Sequence, residues 1–425
     1  MKYSNVKVKG GMGMLVSFTV KNFGSIYKPV TISLAKCNST EKKTQIIEKK
    51  SVFPVFGIYG ANASGKSTLL QAFNFLQSFI LGELKVKNKG DKIPYRPFAF
   101  SDTACKEASE FTVEFVYEEI LYEYALFCND TCIVHEHLYS WPNSRQSKIF
   151  EREFQNFTFT KRNEKMQKPL AERTLENRPY LYTSNEWNLK QTEAAFLWFR
   201  HIPRVDLLGM GWPALSFSDL EFPNKKENIL RELKYADFDI CDIKKLVKEK
   251  GLPFPHTSLT QMLQNVLDIP DDIDAIDIKV SNVDFQTIHA INGKISHLEL
   301  SDESEGTRKY LHVIGGVLRA LEYGHLLMMD EFESSLHPLL ARHIVELFQN
   351  PERNTGGGQL IFVSHNTTLL DLELLQKSQI GLVEKDIETG ETDLYTMEDI
   401  SGIKRHENIA KGYLQGRYGA IPFLT

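Results

Sequence analysis

Apolar and polar positions alternate along this chain with two different periods, and the switches between them mark its organisation. Leu15 to Val20 and Val30 to Ala35 follow the two-residue period of half-buried strands, with Asn22-Phe23-Gly24-Ser25 as the turn between them. Val52 to Tyr59 is instead almost continuously apolar, as in a strand covered on both faces, and Thr68 to Leu76 follows as a helix. A polar, Lys-rich stretch (residues 38–51) precedes that strand. From Phe111 to Phe159 the two-residue period returns. Phe111, Val113, Phe115 and Tyr117 share one face, and the runs Leu121–Phe127 and Ile133–Leu138 flank Asn129-Asp130, a hairpin turn signal. Lys161 to Lys168 reads as a charged break. Residues 171 to 268 are predicted mostly helical, with apolar stripes at Phe196–Phe199 and Ile229–Leu233 and a loop at Pro253–Pro255. No heptad repeat persists there, which excludes a long coiled-coil arm. Asp268 to Asp277 reads as a solvated acidic surface, and Ile276–Val280 and Thr287–Ile291 as strands. Leu311, Ile314, Leu318 and Leu321 then line one face of a helix.

These elements imply an α/β fold of two lobes: a mixed sheet with flanking helices plus an antiparallel β subdomain, interrupted by a helical insertion. A chain of 425 residues is too long for one simple core. The expected boundaries are an extension (1–13, with Met14 as the natural start), a first lobe (14–165), a mainly helical insertion (166–275) and a second lobe (276–425). Composition changes this picture little. The net charge of −5 argues against a wholly basic surface coating nucleic acid. No apolar run reaches the roughly 18 residues of a membrane helix, and no basic-then-apolar leader is present, so no membrane partner is expected. Five scattered cysteines suit reduced thiols and a cytoplasmic location. Cys128, Cys132, His135 and His137 resemble a zinc set only in residue type, because a hairpin scatters them over both faces of a sheet.

The chemistry concentrates in three places. Gly60-Ala61-Asn62-Ala63-Ser64-Gly65-Lys66-Ser67 fits the phosphate-loop pattern G-x-x-x-x-G-K-[ST] between the apolar strand and the helix that Thr68 enters. There the loop N–H groups and the helix N-terminus favour phosphate, Lys66 reaches the β/γ-phosphates, and Ser67 is a ligand for Mg²⁺. His325 to Met329 is an apolar strand ending in Asp330-Glu331. The first carboxylate suits Mg²⁺ and the second suits polarising the attacking water. Ile361–Val363 leads through Ser364 to His365, placed as a γ-phosphate sensor. Ser304 and Gly306 stand where the helix containing Leu311 begins, as a second anion site or as an ordinary cap.

The order phosphate loop, long insertion, Ser-x-Gly helix, Asp-Glu strand, His strand resembles the ABC-type ATPases. The sequences Ser304-Glu305-Gly306-Thr307-Arg308 and Asp330-Glu331 followed by Leu336-His337-Pro338 look like the OLD/RecF/SMC side of that superfamily. Asn22-Phe23, the phosphate loop and the tail Tyr413 to Pro422 are similar to RloA/AbiL-type abortive-infection ATPases. The resemblance implies an ABC-type P-loop head, with ATP and Mg²⁺ bound and two copies sandwiching ATP. Gly60 to Thr68, Asp330, Glu331 and His365 would then act in cis, and Ser304 and Gly306 on the other copy's nucleotide. His337 stands where transporters carry an Asp. The glutamine that couples Mg²⁺ to the other lobe is unassigned among Gln71, Gln77 and Gln146. OLD-type proteins add a Toprim nuclease, and the segment after His365 is too short for one. The expected function is an ATP-driven switch controlling a separate effector, such as a Toprim-type nuclease, in anti-phage defence. A RecF/SMC-like ATPase that binds DNA is the alternative.

Overall fold

The computed structural model describes residues 13–35, 52–142, 145–208, 210–251, 279–291, 293–404 and 407–422. The expected N-terminal extension (apart from Gly13), the Lys-rich stretch, the Pro253–Pro255 loop and the acidic stretch from Asp268 to Asp277 lie outside the described residues. The chain divides into two compact units, residues 1–216 with 312–425, and residues 217–311.

The strands of the first unit are Met14–Lys21 (β1), Val30–Ser33 (β2), Val55–Gly60 (β3), Ser109–Tyr117 (β4), Ile120–Cys128 (β5), Ile133–Ser140 (β6), Ser147–Glu153 (β7) and Asn156–Phe159 (β8). All but β3 form one antiparallel sheet in the order β2-β1-β4-β5-β6-β7-β8. Its hairpins follow the alternation in the sequence, and Asn129 Oδ1 closes the β5–β6 turn by accepting from the Thr131 and Cys132 N–H groups at 2.9 Å. Cys128 is fully buried, and among the described residues no group of three or more His, Cys, Asp or Glu is placed to hold a metal, so the strand reading stands.

The helix Lys66–Ile80 (α1) presents its apolar face to this sheet. Phe73 meets Phe18 edge-on at 5.3 Å, and Trp198 of the helix Lys190–His201 (α4) stacks on Phe115 at 4.1 Å. Gln77 of α1 is buried, its amide donating to the Phe199 and Ile202 carbonyls at 3.1 and 2.8 Å.

Lys161–Arg173 is a helix (α2), not the charged break read from sequence: Gln167 and Ala171 are buried, and the charges occupy its open face. Tyr180–Glu186 (α3) follows. Fully buried Arg152 and Glu136 bind this helical segment to the sheet. Glu136 accepts from the Tyr124 hydroxyl (3.0 Å) and the Tyr180 and Leu181 N–H groups (2.7 and 3.0 Å). Arg152 donates to the carbonyls of Phe154, Leu175, Glu176 and Arg178. Every charge is hydrogen-bonded, the condition for burying an ion pair without large cost.

The second unit holds an antiparallel sheet of Ile240–Gly251 (β9), Lys279–Ile291 (β10) and Lys294–Glu299 (β11), in the order β11-β10-β9. Two helices precede β9: Pro213–Asp219 (α5), which begins in the first unit, and Pro223–Tyr235 (α6). Within the insertion expected at 166–275, the described residues are helical as far as Tyr235 and extended from Ile240 to Gly251. Ile240 and Ile243 sit at helix-like spacing, yet both are buried in β9, which pairs with β10 from Ile240↔His289 to Gly251↔Lys279. Long-range pairing overrode the local period.

The helix Glu305–Tyr323 (α7) begins in the second unit and ends in the first, which continues with Leu326–Asp330 (β12), Pro338–Gln349 (α8), Gln359–Val363 (β13), Ile380–Lys385 (β14), Thr392–Thr396 (β15) and Ile409–Leu414 (α9). The second sheet of this unit runs β12-β13-β3-β14-β15, parallel except for β15, with β3 and β13 buried throughout. One residue stitches the two sheets. Gln359 accepts from Leu15 N–H at 2.6 Å and donates to the carbonyls of Leu15 and Phe53 at 3.0 and 3.2 Å.

Candidate functional site

Three parallel strands end level with one another, and their C-terminal loops form the site. The register pairs Asp330 of β12 with Val363 of β13, and Val363 with Ile58 of β3. Ligands of open α/β sheets bind beyond such strand ends.

The loop from Gly60 to Ser67 turns sharply into α1. Gly65 has φ +108°, and a Cβ there would overlap the Thr392 hydroxyl; Ala63 is also left-handed, at φ 61°. Gly65 caps α1 without a side-chain hydrogen bond. Thr68 N–H donates to Gly65 O at 3.0 Å, and the Lys66 and Ser67 N–H groups at the start of α1 face the end where an anion binds best. Lys66 is 4% exposed and folds back, donating to the carbonyls of Gly60 (2.9 Å) and Ala61 (2.8 Å). Burial lowers its pKa to about 8, against the opposing pull of Asp330 and Glu331. Ser64 Oγ is buried with no hydrogen-bond partner among the described residues.

The carboxylates stand opposite. Asp330 receives a hydrogen bond from Ser67, burial raises its pKa, and its Oδ1 has no hydrogen-bond partner among the described residues. The Ser67 hydroxyl and the Asp330 carboxylate are hard-oxygen donors of the kind that suits Mg²⁺. Glu331 adopts φ 45°, an uncommon conformation for a non-glycine residue that clusters at functional sites, and its N–H donates to Val363 O at 3.0 Å. This turn brings Glu331 Oε1 within 3.4 Å of His365 Nε2, with both side chains open to solvent. Burial first, and the Lys66 charge second, hold the His365 imidazole below its usual pKa.

Asn62 and Thr68 complete the loop, with Thr68 tied to a network absent from the sequence reading. Ser25 Oγ donates to Thr68 Oγ1 at 3.2 Å, while Thr392 Oγ1 lies 2.8 Å from Ser25 Oγ and 2.9 Å from Ser64 O. Ser25 belongs to the Asn22–Ser25 turn, which the sequence marked without a role, and Thr392 carried no signal. Asp206 was also missed. Its backbone pairs alongside Met329, with Asp330 N–H donating to Asp206 O at 2.8 Å, which adds an edge beside β12. Glu333 is a third, bonded to Ser364 and His365.

The structure gives two of the unassigned glutamines other contacts. Gln71 accepts from Arg96 at 3.2 Å, and Gln77 is the buried clasp on α4. His337 caps α8, its Nδ1 accepting from Leu339 N–H at 3.3 Å. Ser304 and Gly306 belong to the second unit. There Ser304 Oγ accepts from Thr307 N–H at 3.1 Å and lies 2.7 Å from Thr307 Oγ1, so it caps α7. Beside it, Glu303 is hydrogen-bonded by Thr287 and, at 2.7 Å, by His289.

Residues 55–371 match the protein-family model described as "AAA domain, putative AbiEii toxin, Type IV TA system". No curated protein matches the chain. Among solved structures it is similar to an SMC head bound to the C-winged helix domain of ScpA (11% identity, 90% of this chain and 97% of that chain, TM-score 0.41). It is also similar to the SMC head domain from Thermotoga maritima (13%, 90% and 98%, 0.40). A third match is the recombination mediator protein RecF with ATP (14%, 85% and 94%, 0.32).

Proposed function

The chain belongs to the AAA-domain family described as putative AbiEii toxin, Type IV TA system, and on that premise we propose that it hydrolyses ATP as a switch controlling a separate effector in anti-phage abortive infection. The observation that carries the ATPase part is the convergence of Lys66, Ser67, Asp330, Glu331 and His365 on one phosphate loop, where Ser64 Oγ and Asp330 Oδ1 are buried without a partner among the described residues.

In this reading the N–H groups from Ala61 to Thr68 cradle the β- and γ-phosphates, and Lys66 leaves the Gly60 and Ala61 carbonyls to meet them. Ser67 and Asp330 would hold Mg²⁺, which neutralises phosphate charge when bound. Glu331, solvent-accessible on its strained turn, orients and deprotonates the attacking water. His365, neutral at physiological pH, contacts the γ-phosphate and holds Glu331 in register. In a homodimer closed by ATP, Ser304 and Gly306 of the partner subunit would complete the γ-phosphate contacts. The likeness of the phosphate loop and tail to RloA/AbiL-type proteins motivates the defence role, with a Toprim-type nuclease as the kind of effector restrained.

Turnover by purified protein, with and without duplex DNA and with Glu331→Gln as control, tests this reading. Slow turnover indifferent to DNA, abolished by Glu331→Gln, supports a partner-gating switch. Strong stimulation by DNA moves the function to the RecF/SMC-like alternative, and a lack of ATP binding ends the ATPase reading.

A further inference from the structure

We infer that Glu333 is a positioning residue that locks His365 against Glu331, so that sensor and base move as one body. The inference rests on the ATPase reading above, but its contacts stand independently of it.

Glu331 and His365 sit on separate loops after separate strands, and their solvent-open side-chain contact at 3.4 Å does not by itself fix one loop against the other. Two links do. The first is backbone: Glu331 N–H to Val363 O at 3.0 Å. The second is the Glu333 carboxylate, which reaches across from the Glu331 turn. Its Oε1 accepts from the Ser364 hydroxyl and, at 3.2 Å, from the His365 N–H. Ser364 is fully buried, its N–H donates to Ile58 O on the phosphate-loop strand at 3.0 Å, and its Oγ accepts from Asn366 N–H at 2.9 Å. Glu333 therefore ties the carboxylate turn to the last ordered point of the histidine strand and, through Ser364, to the strand that bears the phosphate loop. The turn itself is closed by Leu336 N–H on Glu333 O and Ser334 N–H on Glu331 O, both at 3.0 Å. Movement of Glu331 relative to His365 must break the carboxylate link, strain this closed turn, or both.

The link needs acceptor oxygen, not negative charge. Glutamine keeps an oxygen that can take both hydrogen bonds, whereas alanine removes them and leaves Ser364 Oγ, a buried donor, unpaired. Serine and histidine on the far side then lose their common anchor. Positioning errors of this kind cost rate without changing substrate affinity.

The test compares Glu333→Ala, Glu333→Gln and Ser364→Ala by ATP turnover, ATP affinity and amide hydrogen exchange over residues 364–366. Glu333→Ala is expected to lose roughly tenfold to a hundredfold in kcat with KM for ATP nearly unchanged, and to exchange faster at His365. Glu333→Gln should restore both. Ser364→Ala should fall between, and combined with Glu333→Ala it should add less than its separate effect. Unchanged exchange at His365 in Glu333→Ala refutes the tether, whether or not the protein turns over ATP. Wild-type kcat in that variant, or Glu333→Gln as slow as alanine at equal melting temperature, refutes the positioning role. Absent turnover with unaltered ATP binding in the wild type would count against the ATPase reading alone, since the exchange result decides the tether.

Discussion

Lys66 makes nucleotide affinity a function of pH. Burial brings its pKa down to about 8 from the ordinary 10.5. A triphosphate at the loop restores the charged form, so binding requires the protonated amine. The direction follows from the sign of the shift. Below about pH 8 the free protein already carries the proton and binding costs none; above it, each binding event must first take one up. Between pH 7 and pH 9 the protonated fraction falls from about nine-tenths to about one-tenth, so affinity should weaken roughly tenfold. Calorimetric titration with ATP in buffers of different ionisation heat reads both quantities. Uptake should approach one proton at pH 9 and nearly vanish at pH 7. Lys66→Arg, whose guanidinium stays charged, provides the control that removes the nucleotide's own titration. Affinity independent of pH in the wild type, or equal proton uptake in Lys66→Arg, would refute the reasoning.

Three other changes probe different parts of the molecule. Glu331→Gln should bind ATP with near wild-type affinity and hydrolyse it at least a hundredfold more slowly, on the scale of losing a general base; equal rates in single-turnover assays would show that the base lies elsewhere. Arg152→Ala strands the Glu136 carboxylate in a fully buried site, and denaturant unfolding should show a loss of about 3–5 kcal/mol; a loss below about 1 kcal/mol would mean that the pair is not load-sharing. Gly65→Ala places a Cβ in a left-handed position against Thr392 and should abolish ATP binding while far-ultraviolet circular dichroism stays unchanged. Retained affinity there would show that the loop adapts.

The sequence disclosed those parts of the site whose chemistry is local. The phosphate loop is contiguous, and its buried strand and following helix are written beside it. Asp330, Glu331 and His365 were legible because each ends an apolar run, and the structure brings all three together. The elements that hold them were not legible. Thr392 meets Ser25 across 367 residues, and Gln359 meets Leu15 across 344. No local pattern encodes such contacts, because a Thr or Gln at a strand end is an ordinary surface residue until its partner arrives. Glu333 was hidden for another reason, since it stands beside two carboxylates that already had an explanation. Strand β9 failed by period: its isoleucines are three residues apart, and only the pairing with β10 makes it extended. Helix α2 failed by composition, because its open face is so charged that its two buried residues gave no stripe.

The Gln359 stitch bears on how the first unit comes apart. A side-chain amide that satisfies backbone groups of β1 and of the segment entering β3 acts as a short strand rung between two sheets, and it sits at the first residue of β13, between the carboxylate strand and the phosphate-loop strand. Peeling β1 from the second sheet would break two hydrogen bonds to the Gln359 amide in the buried interior. The two sheets should therefore unfold in one cooperative step, with slowly exchanging amides in β1 and β13 sharing a single opening free energy. Damage to the N-terminal strand would then be felt at the phosphate loop, although β1 contributes no residue to that loop.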